Sequence, residues 1–164
     1  MSRLKTIIFS VIILAVCFFL YTRPEQVQRD GVWYDVLTQL DAGDNRKITV
    51  LKGTEAFEVP SWYFEITAGE QTVVPVTFLS GACRGDRSAK YQLLTSKDRA
   101  IVGMVCDKRP DVLLVVHDFA SGESWPREVP DLSYQANLQR GRMLKNRLQV
   151  DHPERKLVLD HEVP

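Results

Sequence analysis

Three cysteines and three histidines are all that this chain of 164 residues offers for thiolate or imidazole metal ligation. There is no C-x-x-C, and His117, His152 and His161 keep no ligand spacing with Cys83 or Cys106, which disfavours a zinc centre. G-x-S-x-G, H-E-x-x-H and a phosphate-cradling glycine loop are also missing. Their absence removes the common serine-hydrolase, zinc-protease and P-loop chemistries. Neither sign of charge prevails, with 21 Lys and Arg against 21 Asp and Glu, so the chain has no general attraction to nucleic acid. No N-x-S/T sequon, long internal repeat or low-complexity tract occurs, and the missing sequon is compatible with a bacterial protein. No cofactor is implied.

What is present begins at the N-terminus. Ile7 to Tyr21, IIFSVIILAVCFFLY, carries no charge, with Arg3 and Lys5 before it and Arg23-Pro24-Glu25 after it. A cleavable signal ends in small residues of A-x-A type. Here the run ends in Phe18-Phe19-Leu20-Tyr21, and the nearest approximation, Ala15-Val16-Cys17, lies inside it. Val16 before Cys17, and the apolar residues after it, likewise disfavour lipoprotein processing. The expectation is an uncleaved anchor. Leu4 to Thr22, with Lys5 snorkelling, approaches the ~30 Å of a bilayer core at about 1.5 Å per residue. Arg3 and Lys5 put the N-terminus in the cytoplasm, although Arg23 and Arg29 weaken that asymmetry. The alternative is a buried core helix. The expected organisation is a cytoplasmic tail over 1–6, a transmembrane signal-anchor over 7–22, a linker over 23–30 and one extracytoplasmic domain over 31–164, periplasmic in a bacterium. About 135 residues suffice for one core and not for two. Without Arg3, Lys5, Arg23 and Arg29 this outer part is mildly acidic.

Cys17 falls in the apolar run, so Cys83 and Cys106 are the only cysteines outside it and have one possible pairing. An oxidising compartment permits a disulfide. Closing a loop of about 24 residues would contribute roughly 3 kcal/mol on the chain-entropy estimate. Two separate buried thiols are the alternative.

The outer domain alternates short β-branched and aromatic segments with Gly, Pro, Asp and Ser, as antiparallel sheet does. Val32 to Leu40 fits a strand, and less well a helix; Asp41-Ala42-Gly43-Asp44-Asn45 and Lys47 to Leu51 then complete a hairpin. Trp62 to Thr67 and Thr72 to Leu79 form a second pair, with Pro75 placing the latter at an edge or bulge. Ala89 to Thr95, Ala100 to Asp107 and Val112 to Phe119 make a meander. Leu113-Leu114-Val115-Val116 is apolar on both faces and suits a covered central strand. Continued through Ala120-Ser121-Gly122-Glu123 to Trp125, the meander resembles one blade of a β-propeller over about forty residues. At about 40 to 45 residues per blade, this chain is too short to close one.

Ser133 to Val150 reads as a helix, with Tyr134, Leu138, Gly141, Leu144 and Leu148 near a 3.6-residue period and Asp131 or Ser133 as its cap. Gly141 costs about 1 kcal/mol of helix propensity, so a backbone passes close there or the helix bends. Lys156 to Leu159 suggests a short strand, and Asp160 to Pro164 is expected to fray. The fold class is therefore α+β: an N-terminal transmembrane helix, then a mainly antiparallel β domain with one C-terminal amphipathic helix.

Candidate functional residues are few. The helix carries Arg140, Arg142, Lys145 and Arg147 and no acidic residue before Asp151. These are a solvated outer face, a contact for an acidic partner, or a contact for anionic lipid aided by Met143 and Val150. Cys83-Arg84-Gly85-Asp86-Arg87 contains the tripeptide of integrin ligands, so Arg84 and Asp86 are candidate contacts, a polar turn being the ordinary reading. His117-Asp118 is the best catalytic pair by residue type, but strand neighbours point to opposite faces. Asp41, Asp44 and Asn45 lack calcium-loop spacing and read as a turn. The expectation is a membrane-anchored protein-binding or envelope-assembly module held by the lipid bilayer, with a protein partner, no metal and no nucleic acid. An anchored immunity or inhibitor protein is a particular version. The competing class is a tethered hydrolase using His117 and a distant acid.

Overall fold

The alternation of β-branched and turn residues resolves into short strands in the computed structural model, which describes residues 2–21, 24–53, 61–79, 83, 89–127 and 133–162. In chain order these are α1 (Ser2–Tyr21), β1 (Gln26–Arg29), β2 (Val32–Gly43), β3 (Arg46–Gly53), β4 (Trp62–Ala68), β5 (Gln71–Phe78), β6 (Tyr91–Thr95), β7 (Ile101–Cys106), β8 (Arg109–Asp118), β9 (Ser124–Trp125), α2 (Tyr134–Asp151) and β10 (Val158–Leu159). A single 3-10 turn, Asp160–Glu162, follows.

β1 to β5 form one antiparallel sheet in sequence order. Its first two hairpins turn on residue pairs with positive φ, Asp30 (48°) with Gly31 (82°) and Asp44 (54°) with Asn45 (62°), which matches the right-handed strand twist. The Asp41 carboxylate accepts the Gly43 N–H at 2.8 Å, so this acidic cluster shapes a turn. β1 lies within the stretch expected to be a linker; Asp30-Gly31 folds it back onto β2, with Arg29 opposite Val32. Pro75 sits on edge strand β5, where Pro75 and Val76 face Glu65 in an irregular register. An edge tolerates the missing N–H.

The second sheet has the order β10-β8-β7-β6, with β9 also on β8. The meander β6–β7–β8 is as expected, but β10 joins parallel to β8, Val158 opposite Val112. Ile48, Val50, Phe64, Ile66 and Val74 of the first sheet pack on Val102, Met104, Val112, Leu114 and Val115 of the second. The second sheet's other face, Ile101, Val105, Leu113 and Val116, meets Leu138, Leu144 and Leu148 of α2. The order of layers is sheet, sheet, helix, with β7 and β8 covered on both sides. This explains the two-faced apolar run: opposite β7, Val105 pairs Leu113 and Met104 pairs Val115, so Leu114 is an extra residue. The bulge turns Leu114 and Val115 to the same core.

Cys83 and Cys106 form a disulfide with Cα atoms 5.6 Å apart. Arg29 on β1 donates two 2.8 Å bonds to the carboxylate of Glu65 on β4. Three strand spacings of about 4.8 Å exceed an arginine's reach in a flat sheet. The β1–β2 ribbon therefore curls over the outer face. α1 runs from Ser2 to Tyr21, and its described side chains include Ile7, Ile8, Phe9, Val11, Ile12, Ile13, Leu14 and Phe18, all exposed. Among the described residues, no helix is long and apolar enough to cross a membrane, so the expected span is not found there.

Candidate functional site

Helix α2 carries most of the sequence-derived site residues. Its start is set by Ser133, whose side-chain oxygen accepts the Ala136 N–H at 3.3 Å. Asp131 lies outside the described residues. Leu138, Gly141, Leu144 and Leu148 are buried as the periodicity requires, whereas Tyr134 stays 58 % exposed beside His161. At Gly141 the close neighbour is an indole and no backbone: a Cβ there would lie 2.6 Å from Cδ1 and Cγ of buried Trp125. Gly103 on β7 does the same for the helix's other end, where a Cβ would come within 2.5 Å of Leu148. Two glycines thus let α2 settle closely on the sheet.

The basic face is largely spoken for within the domain. Arg142 donates to Glu162 at 2.7 Å and Lys145 to its other oxygen at 3.2 Å. The Leu159 N–H donates to the same carboxylate at 3.2 Å. Burial opposes the charge on Glu162, yet Arg142, the Leu159 N–H and Lys145 together hold its carboxyl below the usual range. Arg147 donates to Asp118, which is buried while the arginine is half exposed. Asp118 also accepts the Ala120 N–H at 2.9 Å. Burial pushes the Asp118 carboxyl up, but Ala120, Arg147 and Ser121 outweigh it and the carboxyl is lowered. Arg140 alone of the four has no ion-pair carboxylate among the described residues. Around it the outward surface of α2 carries Met143 and Val150, 60 % and 77 % exposed. Residues 84–88, with Arg84 and Asp86, lie outside the described residues.

The far end of α2 is also tied down. The Lys97 N–H donates to Asp151 at 3.3 Å, and His152 Nε2 lies 2.9 Å from the Thr95 carbonyl oxygen. Glu162 was the residue that sequence reasoning missed, because it falls in the expected fraying tail. Arg142 and Lys145, three apart on one helical face, were the available sign that a carboxylate should meet them.

His117 and Asp118 point to opposite faces, as strand geometry requires. His117 is fully buried in the sandwich, its ring edge-on to Phe119 with centroids 4.6 Å apart. Neither ring nitrogen has a hydrogen-bond partner among the described residues. Burial drives its pKa down to about 4, with neighbouring Asp118 opposing and Arg127 assisting. It is a neutral core imidazole, and among the described residues no carboxylate is hydrogen-bonded to it. The closest grouping of ligand-type side chains among the described residues is Cys83, Cys106 and Asp107, of which the first two are joined as a disulfide.

No family model, curated protein or solved structure matches the chain.

Proposed function

We propose that this is a membrane-anchored protein whose outer domain binds a protein partner or takes part in an envelope assembly, acting through its surface and not through catalysis. What supports this is the uncharged run Ile7 to Tyr21 within α1, whose described large apolar side chains, Ile7 to Leu14 and Phe18, are exposed. An exposed apolar face of this kind needs lipid or protein to cover it. The disulfide fits an outer domain in an oxidising compartment, and the flanking Arg3 and Lys5 fit a cytoplasmic N-terminus.

The partner contact is assigned to the outward surface of α2 around Arg140, Met143 and Val150. There a positive charge with no ion-pair carboxylate among the described residues stands beside exposed apolar side chains. An acidic partner surface complements it, and an immunity or inhibitor protein needs nothing further. The test has two arms. Full-length protein should stay with membranes after alkaline carbonate extraction, with its disulfide-bonded domain digested by protease added from outside; release into the supernatant defeats the anchor. Cross-linking through a photoreactive residue at 143 in native membranes should trap a discrete adduct that Arg140→Glu abolishes. An adduct indifferent to that change defeats the α2 contact.

A further inference from the structure

The C-terminal turn, Asp160–Glu162, buries none of its own residues, yet it lies folded against α2. What precedes it is fixed more firmly. Leu159 is fully buried, pairs with Leu113 of β8 and lies against Gly141 of α2. Beyond Leu159, Glu162 meets Arg142 and Lys145. The exposed His161 ring stands edge-on to Trp125 and tilted to Tyr134, with centroids 5.3 Å and 6.0 Å away. The buried indole N–H of Trp125 has no hydrogen-bond partner among the described residues, so lifting that ring breaks no such bond there.

The Glu162 carboxylate is held as a ligand is held. One oxygen takes a 2.7 Å bond from the Arg142 guanidinium, and the other takes 3.2 Å bonds from the Lys145 ammonium and the Leu159 N–H. Among the described residues no other carboxylate pairs with either cation. The three donors come from α2 and β10, which the core fixes without the turn, since Leu138, Leu144, Leu148 and Leu159 share one buried cluster. Lifting the turn would leave two cations and an N–H converging on one place, a donor set that selects a carboxylate. The Arg142 side chain is 54 % exposed even while paired, and Met143 follows it, so this place borders the surface assigned to the partner.

Magnitudes decide whether such a cover can be displaced. Ion pairs at the surface are weak, because water and salt screen them. A carboxylate on the same chain nevertheless competes at a high effective concentration. Together these favour the covered state by roughly tenfold. That is enough to order the turn and little enough for a segment with several carboxylates to open it. The partner's apparent affinity is then reduced by the fraction of molecules that are uncovered.

We infer that Arg142, Lys145 and the Leu159 N–H form a carboxylate-binding site for an acidic segment of the partner protein, and that Glu162 covers it until that segment displaces the C-terminal turn. The inference rests on the reading of α2 as the contact for an acidic partner.

The test uses full-length protein in detergent micelles and a fluorescein-labelled polyglutamate peptide, read by fluorescence anisotropy at low salt. Glu162→Gln keeps the size of the side chain and removes its charge. It should bind the peptide roughly tenfold more tightly than the parent. Arg142→Gln or Lys145→Gln, added to it one at a time, should remove most of that gain, whereas Arg109→Gln at the start of β8 should not. Retention of the disulfide and of the circular dichroism spectrum shows that each variant is folded. Equal binding by the parent and Glu162→Gln overturns the cover. A gain that survives both Arg142→Gln and Lys145→Gln places the peptide elsewhere and overturns the site. Either result leaves the cross-link through position 143 standing, while an adduct there that ignores Arg140→Glu defeats the reading on which the inference rests.

Discussion

Gly141 is the poorest helix former in α2 and stands where the helix is most closely packed. Alanine there would gain about 1 kcal/mol of propensity. It would also put a methyl 2.6 Å from the ring of an indole that is itself buried and has nowhere to move. Overpacking of this kind costs about 1 to 3 kcal/mol, so Gly141→Ala should lower the urea midpoint, and a rise would show that Trp125 can shift. His117 makes a different prediction. Its pKa of about 4 in the fold lies below the ordinary value of 6.5, so between those values the unfolded chain binds the extra proton. Stability should therefore fall as pH drops from 6.5 to 4, by about 3 kcal/mol in total, and stop falling on this account below 4. His117→Phe should flatten that limb. A slope unchanged in the variant would place its origin elsewhere. The lowered carboxyls of Asp118 and Glu162 act in a separate window, losing their contribution only as pH falls below the ordinary carboxylate range.

Helix α2 shows how a charged face can mislead. By residue type, Arg140, Arg142, Lys145 and Arg147 form one basic set, but at 3.6 residues per turn Arg140 and Arg147 lie on one flank of α2 and Arg142 and Lys145 on the other, and packing gives each flank a different role. Arg142 and Lys145 clamp the C-terminal turn through Glu162, Arg147 neutralises buried Asp118, and Arg140 has no such carboxylate among the described residues. Reversing several charges at once would therefore unseat the helix and lose any partner for the wrong reason. Arg147→Met should cost about 2 to 3 kcal/mol in chemical denaturation, because it leaves Asp118 charged and buried without its cation. Arg140→Glu should stay within about 0.5 kcal/mol of the parent. Equal costs for the two variants would mean that Asp118 is relieved by other groups. A surface pair of the Arg142 kind contributes little by itself. Glu162 gains from gathering two cations and an N–H on one carboxylate, which orders residues expected to fray.

Across the molecule, stability depends on two cores that share the second sheet. Because β7 and β8 serve both, loosening either side exposes the other. The disulfide ends at Cys106, where β7 finishes, and closes the chain back to Cys83 across 23 positions. Reduction, or a paired Cys83→Ala and Cys106→Ala change, should lower the unfolding free energy by about 3 kcal/mol without altering the strand content. A loss well under 1 kcal/mol would mean that the unfolded chain is already constrained there.

Much of the architecture was legible because it depends on local chemistry. Period-two alternation with Asp-Asn and Gly-rich turns marked β2 through β8, period 3.6 marked α2, and Pro75 marked an edge. With Cys17 in the apolar run, Cys83 and Cys106 had one possible pairing beside the alternative of two separate thiols, and the folded chain joins them. β1 was not legible, since Gln26–Arg29 has no apolar alternation of its own and becomes a strand by pairing with β2. β10 was foreseen, but not its parallel place on β8, because partner choice between distant segments leaves no local trace. Nor could sequence name the carboxylates that Arg142, Lys145 and Arg147 meet, or bury His117 among apolar groups. Those outcomes depend on which carboxylates and rings the layers bring within a few ångströms, and tertiary packing decides that.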